Sequence, residues 1–530
     1  MRAADVVAER LYAQGCRWAF GMPGGEVLTL LDALQKVGIE FVLSRHENAA
    51  GFMAEGTYHR TGAPGILLAT VGPGALNGIN VVENARQDRV PLIVLTGCVD
   101  ADTAQTYTHQ VLDQGRVFEA ITKASFKLSA SAAHVIIDKA LGIATEGRPG
   151  PVHIDVPISV ADAAATGTGI LRPAAHPMAP ASPALEEARA ALAGAKRPLI
   201  VAGVDALDQP DAVRLAAERL GAPIITTYKA KGLLPEDHAL SLGGAGLSPK
   251  ADDILLPLVA KADVILSIGY DPIEMRIGWR APWDTARQVV IDITAEPNHH
   301  YMHQATHNFI GDPGATVTAL LPDGLSAVWT DGDVETTRKT LSSAFPRGDT
   351  WGPAQAISVC QEVLPDDTLA TADSGAHRIL LSQMWTCGFP RALVQSSGFC
   401  TMGCAVPLAM GMQMVEPART VVSFSGDAGF LMVVGDLATA AERKLSTIFV
   451  VFVDASLALI ELKQRGRHLK NTGVDFEGTD IARVGRAFGG LGFSVSSEAE
   501  LRDALNEAKD ADCFSVIAVQ IDRKAYDGAF

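Results

Sequence analysis

Short runs of apolar and β-branched residues recur along this chain, each followed by a helical pattern, and that alternation leaves few folds open. "EFVLS", "GILLAT", "PLIVLTG" and "PVHIDV" lie within residues 1–165. "RPLIVAG", "APIITTY", "ADVILSIG" and "RQVVIDI" lie within 184–325, and "TLATAD", "TVVSFSG", "TIFVVFVD" and "FSVIAVQI" within 350–530. Strands alternating with helices build βαβ units and parallel sheets. At 530 residues the chain is too long for one core. The expected fold class is therefore α/β: three doubly wound parallel-sheet domains, at 1–165, 184–325 and 350–530. The Ala-, Pro- and Thr-rich stretch Ala161–Pro183 reads as a linker. The first and third blocks share a rhythm that suggests related domains.

Composition narrows the function. The net charge of −16 argues against nucleic acid as a partner, because phosphate binding needs clustered Lys and Arg. No apolar run is long enough to span a membrane, and "MRAADVVAERLYAQG" reads as a helix start rather than a signal peptide. Seven scattered cysteines fit reduced cytoplasmic thiols; Cys400 and Cys404 lack the Cys or His partners of a zinc site. No strand–helix turn carries Gly-x-Gly-x-x-Gly with a downstream acid, which speaks against a nucleotide-dependent dehydrogenase.

The chemistry concentrates in "SFSGDAGFLMVV", Ser423–Val434, where a strand opens through Gly426-Asp427-Ala428-Gly429 into a helical pattern, "FLMVVGDLATAAERK". Such a turn offers free N–H groups and a partial positive charge to phosphate. A carboxylate there would repel phosphate unless it held a divalent cation, and Mg²⁺ commonly binds one or two carboxylates plus phosphate oxygens. The next strand ends in Asp454, and strand ends in a parallel sheet lie side by side. Taken singly, Asp427 reads as a turn residue and Asp454 as a helix cap. Together they point to a metal–phosphate site.

These residues resemble the motif of the thiamine-diphosphate-dependent 2-oxo acid decarboxylase/carboligase family: Gly-Asp-Gly followed at a distance by Asn-Asn. Here Ala428 replaces the third motif residue and Val453-Asp454 replaces Asn-Asn. The resemblance implies Mg²⁺ held by Asp427, Asp454 and the main-chain oxygen of Ser456. It implies thiamine diphosphate contacts from Gly426, Ala428, Gly429 and Leu457. It also implies a glutamate in the first domain that activates the pyrimidine ring, and "FVLSRHENAAGFMAEG" supplies Glu47 at a strand end; the alternative is an ordinary first-turn glutamate. "TADSGAHR" resembles a diphosphate-contacting turn with His377, otherwise a helix cap. "SSGFCTMGCAVPLAMG" resembles the cofactor-bending segment, with Met402 as the prop and Cys400 beside it; core packing is the alternative for Met402. "AFGMPGGEVLTLLDAL", "ATVGPGALNGI" and "GRPGPVHIDVP" match further family segments.

The resemblance extends over nearly the whole chain and implies pyrimidine-binding, central and diphosphate-binding domains in order. It further implies a homodimer or homotetramer with active sites between subunits. The segments look most like the acetolactate synthase branch, notably "TTYKAKGLLPEDHALSLGGAG". That leaves carboligation to a hydroxyketone, or simple decarboxylation to an aldehyde, as the fate of a 2-oxo acid substrate; Ala428 and Val453 also leave open a non-catalytic paralogue. FAD is a further cofactor of that branch, and "GYDPIEMRIGW" departs from the flavin-adjacent pattern, so FAD is not expected. Gln110, His109 and Glu26 are substrate-side candidates; otherwise His109 is an exposed residue and Glu26 a helix start. Lys463, Arg465, Arg467 and His468 either meet an anionic substrate or form a solvated face.

Overall fold

The computed structural model describes residues 1–169, 175–272, 275–323 and 329–530; part of the linker and Ile273-Glu274 of "GYDPIEMRIGW" lie outside these. The first sheet contains β1 (Trp18–Met22), β2 (Glu40–Leu43), β3 (Gly65–Ala69), β4 (Leu92–Cys98), β5 (Ala124–Lys127) and β6 (Val152–Pro157). Its order is β2-β1-β3-β4-β6-β5, and every pair is parallel.

The central sheet contains β7 (Pro198–Ala202), β8 (Ile224–Thr227), β9 (Ser241–Ala245), β10 (Val264–Ile268), β11 (Val289–Thr294) and β12 (His307–Ile310). Its order is β12-β11-β10-β7-β8-β9. The third contains β13 (Leu369–Ala372), β14 (Leu393–Gln395), β15 (Val421–Gly426), β16 (Ile448–Val453), β17 (Leu491–Val495) and β18 (Ser515–Gln520). Its order, β14-β13-β15-β16-β18-β17, repeats that of the first sheet, strand for strand. Three parallel sheets wound with helices are the expected fold class.

The first and third sheets are joined through one apolar core, which runs from Phe52 and Met53 to Leu408 and Met410. The helix Glu47–Thr61 is buried on nearly all sides, which explains its Ala and Gly content. It meets the helix Ala405–Val415 backbone to backbone: a Cβ at Gly411 would overlap the Met53 carbonyl, and one at Gly56 the Leu408 carbonyl. The helical reading of "FLMVVGDLATAAERK" needs correcting. The segment breaks into a helix at Asp427–Met432, a 3-10 turn at Val434–Asp436 and a helix at Leu437–Glu442. The buried Asp436 carboxylate accepts from the Arg45 backbone N–H (2.9 Å) and the Thr439 hydroxyl (3.3 Å), so it fixes the break against the first sheet. Among the described residues no helix is long and apolar enough to cross a membrane.

Candidate functional site

The paired aspartates meet as their strands do. β15 and β16 are neighbours with Gly426 opposite Phe452, so Asp427 and Asp454 leave the sheet side by side. Asp427 is buried, and its carboxylate accepts from the N–H groups of Ala428 (2.8 Å) and Ala455 (2.9 Å). It thereby ties the two turns together. Ala455 adopts a left-handed φ of 54° to present that N–H. Asp454 accepts from Ser456 N–H at 3.1 Å.

Burial raises both carboxyls, and Asp454 reaches about 7, with the Asp427 charge as its second cause. Behind them the buried Tyr526 hydroxyl is pushed up by burial and then by both aspartate charges. Two acids pressed together with mainly backbone donors form a site that a divalent cation would neutralise. No cage of three or more Asp, Glu, His or Cys side chains forms among the described residues. The donor set is the two carboxylates plus main-chain oxygens of the 454–456 turn, and that set fits Mg²⁺.

The next strand over supplies the other wall. His377, on the helix Ala376–Met384, is buried with its ring stacked on Phe452 at 5.5 Å. Burial, then the Arg378 charge, holds its pKa down at about 3, so the ring is neutral. Its Nε2 is buried without a hydrogen-bond partner in the chain. Such a group is costly unless something else satisfies it. The ring sits against the helix-capping Gly375 and the strand-end Gly426, 2.6 Å from where a Cβ at Gly375 would fall and 3.8 Å from one at Gly426.

Asp373, which the sequence reading passed over, holds this wall together. Its buried carboxylate accepts from the N–H groups of Gly403 (3.0 Å) and Cys404 (2.9 Å). A Cβ at Gly429 would overlap it, which is why that position is glycine. The Met402 loop is thus fastened to the start of the Asp427–Met432 helix. Met402 is half-buried, while Cys400 is exposed at a φ of 58° with its Sγ 2.8 Å from an Arg378 guanidinium nitrogen. Leu457 is half-buried and donates its N–H to Val474 O at 2.8 Å, leading into the helix Ala458–Gly466. On that helix Arg465 is engaged by Asp527 at 2.5 and 2.7 Å, whereas Lys463, and Arg467 and His468 just beyond it, are exposed.

A second cluster forms at the carboxyl edge of the first sheet. Glu47 opens its helix and is buried; its Oε2 accepts from Asn77 at 3.0 Å, and its Oε1 lies 3.0 Å from where a Cβ at Gly74 would fall. Glu26 lies in a single 3-10 turn, Gly25–Val27, and accepts from the Thr70 hydroxyl at 2.6 Å. Both acids therefore flank the Thr70–Gly74 turn. The loop bearing His109 and Gln110 is exposed and closes over that turn, with Gln110 at a φ of 58° and its carbonyl 2.9 Å from where a Cβ at Gly72 would fall.

The anchor of this region is Gln114, also unread in the sequence. It is buried, accepts from Gly72 N–H at 2.6 Å, and donates to Asp155 (2.6 Å) and Gly97 O (3.1 Å). A cavity of about 930 Å³ opens beside it, lined among others by Val71, Val111 and Asp155. No hydrogen bond within the chain joins Glu47 or Glu26 to Asp427 or Asp454 among the described residues. The two clusters are built on equivalent edges of two sheets of one topology.

Three family profiles match. They are the N-terminal TPP binding domain of thiamine pyrophosphate enzymes over residues 1–117, the central domain over 185–320, and the C-terminal TPP binding domain over 373–519. The chain is 31% identical to an acetolactate synthase of Bacillus subtilis, over 98% of this chain and 93% of that one. It is 29% identical to a catabolic acetolactate synthase of Raoultella terrigena, over 98% and 95%. A probable 2-ketoarginine decarboxylase of Pseudomonas aeruginosa is also 29% identical, over 92% and 88%.

Proposed function

We propose that this chain, which belongs to the thiamine pyrophosphate enzymes, decarboxylates a 2-oxo acid and joins the retained fragment to a second carbonyl, as an acetolactate synthase-like carboligase. The observation that carries the reading is the convergence of Asp427, Asp454 and the orphaned His377 Nε2 at adjacent strand ends of one sheet. Thiamine diphosphate, when bound, supplies the nucleophilic carbon and the electron sink that decarboxylation requires.

The chain's own residues bind and orient. Asp427, Asp454 and Ser456 O would hold Mg²⁺, and the neutral His377 ring, whose Nε2 has no partner in the chain, would line the diphosphate cradle. Backbone at Gly426, Ala428 and Gly429 lines the same cradle. Met402, on the loop that Asp373 fastens, would prop the cofactor. Glu47, with Oε2 engaged by Asn77, would hold at Oε1 the proton that activates the cofactor. Glu26, oriented by Thr70, lies with Gln110 and His109 on the substrate side, beside a cavity with room for a small 2-oxo acid.

Glu47 serves the metal site of another copy, so the active form is a homodimer or a homotetramer. Leu43, Leu76, Phe399, Met432 and Ile460 are exposed beside the site segments, as an apolar interface requires. A cytoplasmic location fits seven free thiols. The likeness to a probable 2-ketoarginine decarboxylase favours simple decarboxylation as the second reading. Carbon dioxide release from a panel of 2-oxo acids, with Mg²⁺ and thiamine diphosphate added, tests the class. Product analysis separates the two outcomes: a hydroxyketone is expected, and stoichiometric aldehyde replaces carboligation with decarboxylation.

A further inference from the structure

FAD is the further cofactor that the acetolactate synthase branch implies, and the central sheet is where a dinucleotide would bind. Its strand order reverses between β7 and β10, and open α/β sheets take ligands in the crevice at such a point. Here the crevice floor is zipped shut by backbone. Asp205 N–H donates to Gly269 O at 3.1 Å, and Gly203 N–H to Ile268 O at 3.0 Å. A Cβ at Gly203 would fall 2.6 Å from Tyr270 Cα, and one at Gly269 2.6 Å from Ala206 N. These glycines let chain approach chain and narrow the floor of the crevice. Tyr270 is fully buried and packs with Trp283 (6.0 Å) and His303 (5.5 Å).

Arginines of the first block take the positions above the floor. Arg89 ends the helix Ile79–Asp88 at a left-handed φ of 60° and forms ion pairs with both Asp205 and Asp271, just past β7 and β10. Arg148 reaches Asp205 at 3.7 Å, donates its N–H to Glu296 at 2.9 Å, and bonds Asn298, all past β7 and β11. The remaining cavity is about 220 Å³ and is lined by Asp205, Asp208 and Asp312 together with Arg89, Lys229 and Arg391. Pockets for even drug-sized ligands run from about 300 to 1,000 Å³. The cations are already engaged, Lys229 by Asp88 at 2.6 Å and Arg391 by Asp208 at 2.7 Å, and the carboxylates would repel a diphosphate.

We propose that this crevice is a dock between the first and central sheets, locked by Arg89, and that it accepts no flavin dinucleotide. The inference goes beyond the proposed reaction, and its readouts are independent of turnover. Purified protein is denatured and the supernatant assayed for flavin absorbance; native protein is then titrated with FAD while melting temperature and flavin fluorescence are followed. No released flavin and no response to FAD are expected; stoichiometric flavin, or a melting temperature that rises with FAD, overturns the proposal. The lock itself is tested with Arg89→Met and with Arg89→Met/Asp271→Asn. The single variant takes a buried ion-pair partner away from Asp271 and should melt several degrees lower. The double variant, in which Asp205 keeps Arg148, should recover most of the loss. Unchanged melting in the single variant, or no recovery in the double, removes the lock. If the single variant yields no folded protein, a folded double variant sustains the proposal and an unfolded one overturns it.

Discussion

At the scale of single residues, what a side chain can do here depends on who shares its burial. Glu47→Gln keeps shape and the bond to Asn77 but loses the proton acceptor. Thiamine diphosphate should still bind, because its anchors lie elsewhere, while turnover falls about 10²–10⁴-fold. Proton exchange on the bound cofactor isolates that step, and wild-type exchange in the variant would reduce Glu47 to a helix N-terminal residue. Asp454→Ala should weaken Mg²⁺ and thiamine diphosphate together, checked by calorimetric titration of each in the presence of the other.

A third case is Glu55, buried between Asn84 (3.1 Å) and His59 (3.3 Å), with burial raising its pKa to about 8. An acid raised in the folded state binds its proton there while the unfolded chain has already lost it. Stability therefore declines as pH climbs from the ordinary Glu value towards 8, and the loss is complete above. Glu55→Gln should raise the melting temperature at pH 8.5 and change it little at pH 4.5; the reverse order would show that Glu55 is ionised in the fold. Asp427, Asp454 and Glu47 were legible in sequence because a carboxylate at a strand end is unusual by type and place. Asp373 and Gln114 were not, because what matters about them is their partners, which come from segments far along the chain.

At the scale of elements, two helices carry the join between the first and third sheets. Gly411→Ala places a methyl into the Met53 carbonyl of the facing helix, and neither backbone can yield locally. A loss of about 1–3 kcal/mol is expected in denaturant unfolding. Gly194→Ala, at a helix end with nothing within 4 Å, is the control and should be neutral or stabilising by under about 1 kcal/mol. Equal effects at the two positions would show that the close approach does not constrain the fold. The strands recognised in sequence are mostly the long apolar ones. β5, β9, β12, β14 and β17 are edge strands with one neighbour each, and runs such as "ASFK", "SLGGA" and "LVQ" carry little apolar periodicity. Runs of three to five residues leave little pattern to read even where, as at Leu393–Gln395 and most of Ser241–Ala245, they are buried.

At the scale of the whole molecule, the proposed function divides the active site between copies, and that division has a direct test. Glu47→Gln and Asp454→Ala chains, each nearly inactive alone, should complement when refolded together. A mixed dimer has one site carrying both changes and one carrying neither, so about a quarter of wild-type activity should return after random pairing. No recovery would mean that both clusters serve a site within one chain.

The sequence by itself determined the α/β class and that carboxylates stand at the strand ends, because periodicity and residue type are local properties. Only the tertiary structure decided that the first and third sheets share one strand order, that Asp373 and Gln114 brace the two clusters, and that Arg89 fills the central crevice. Each of these depends on which distant segments become neighbours. In parallel sheets that is set by helical crossovers and by helix-to-helix packing, which leave no periodic mark on the strands themselves.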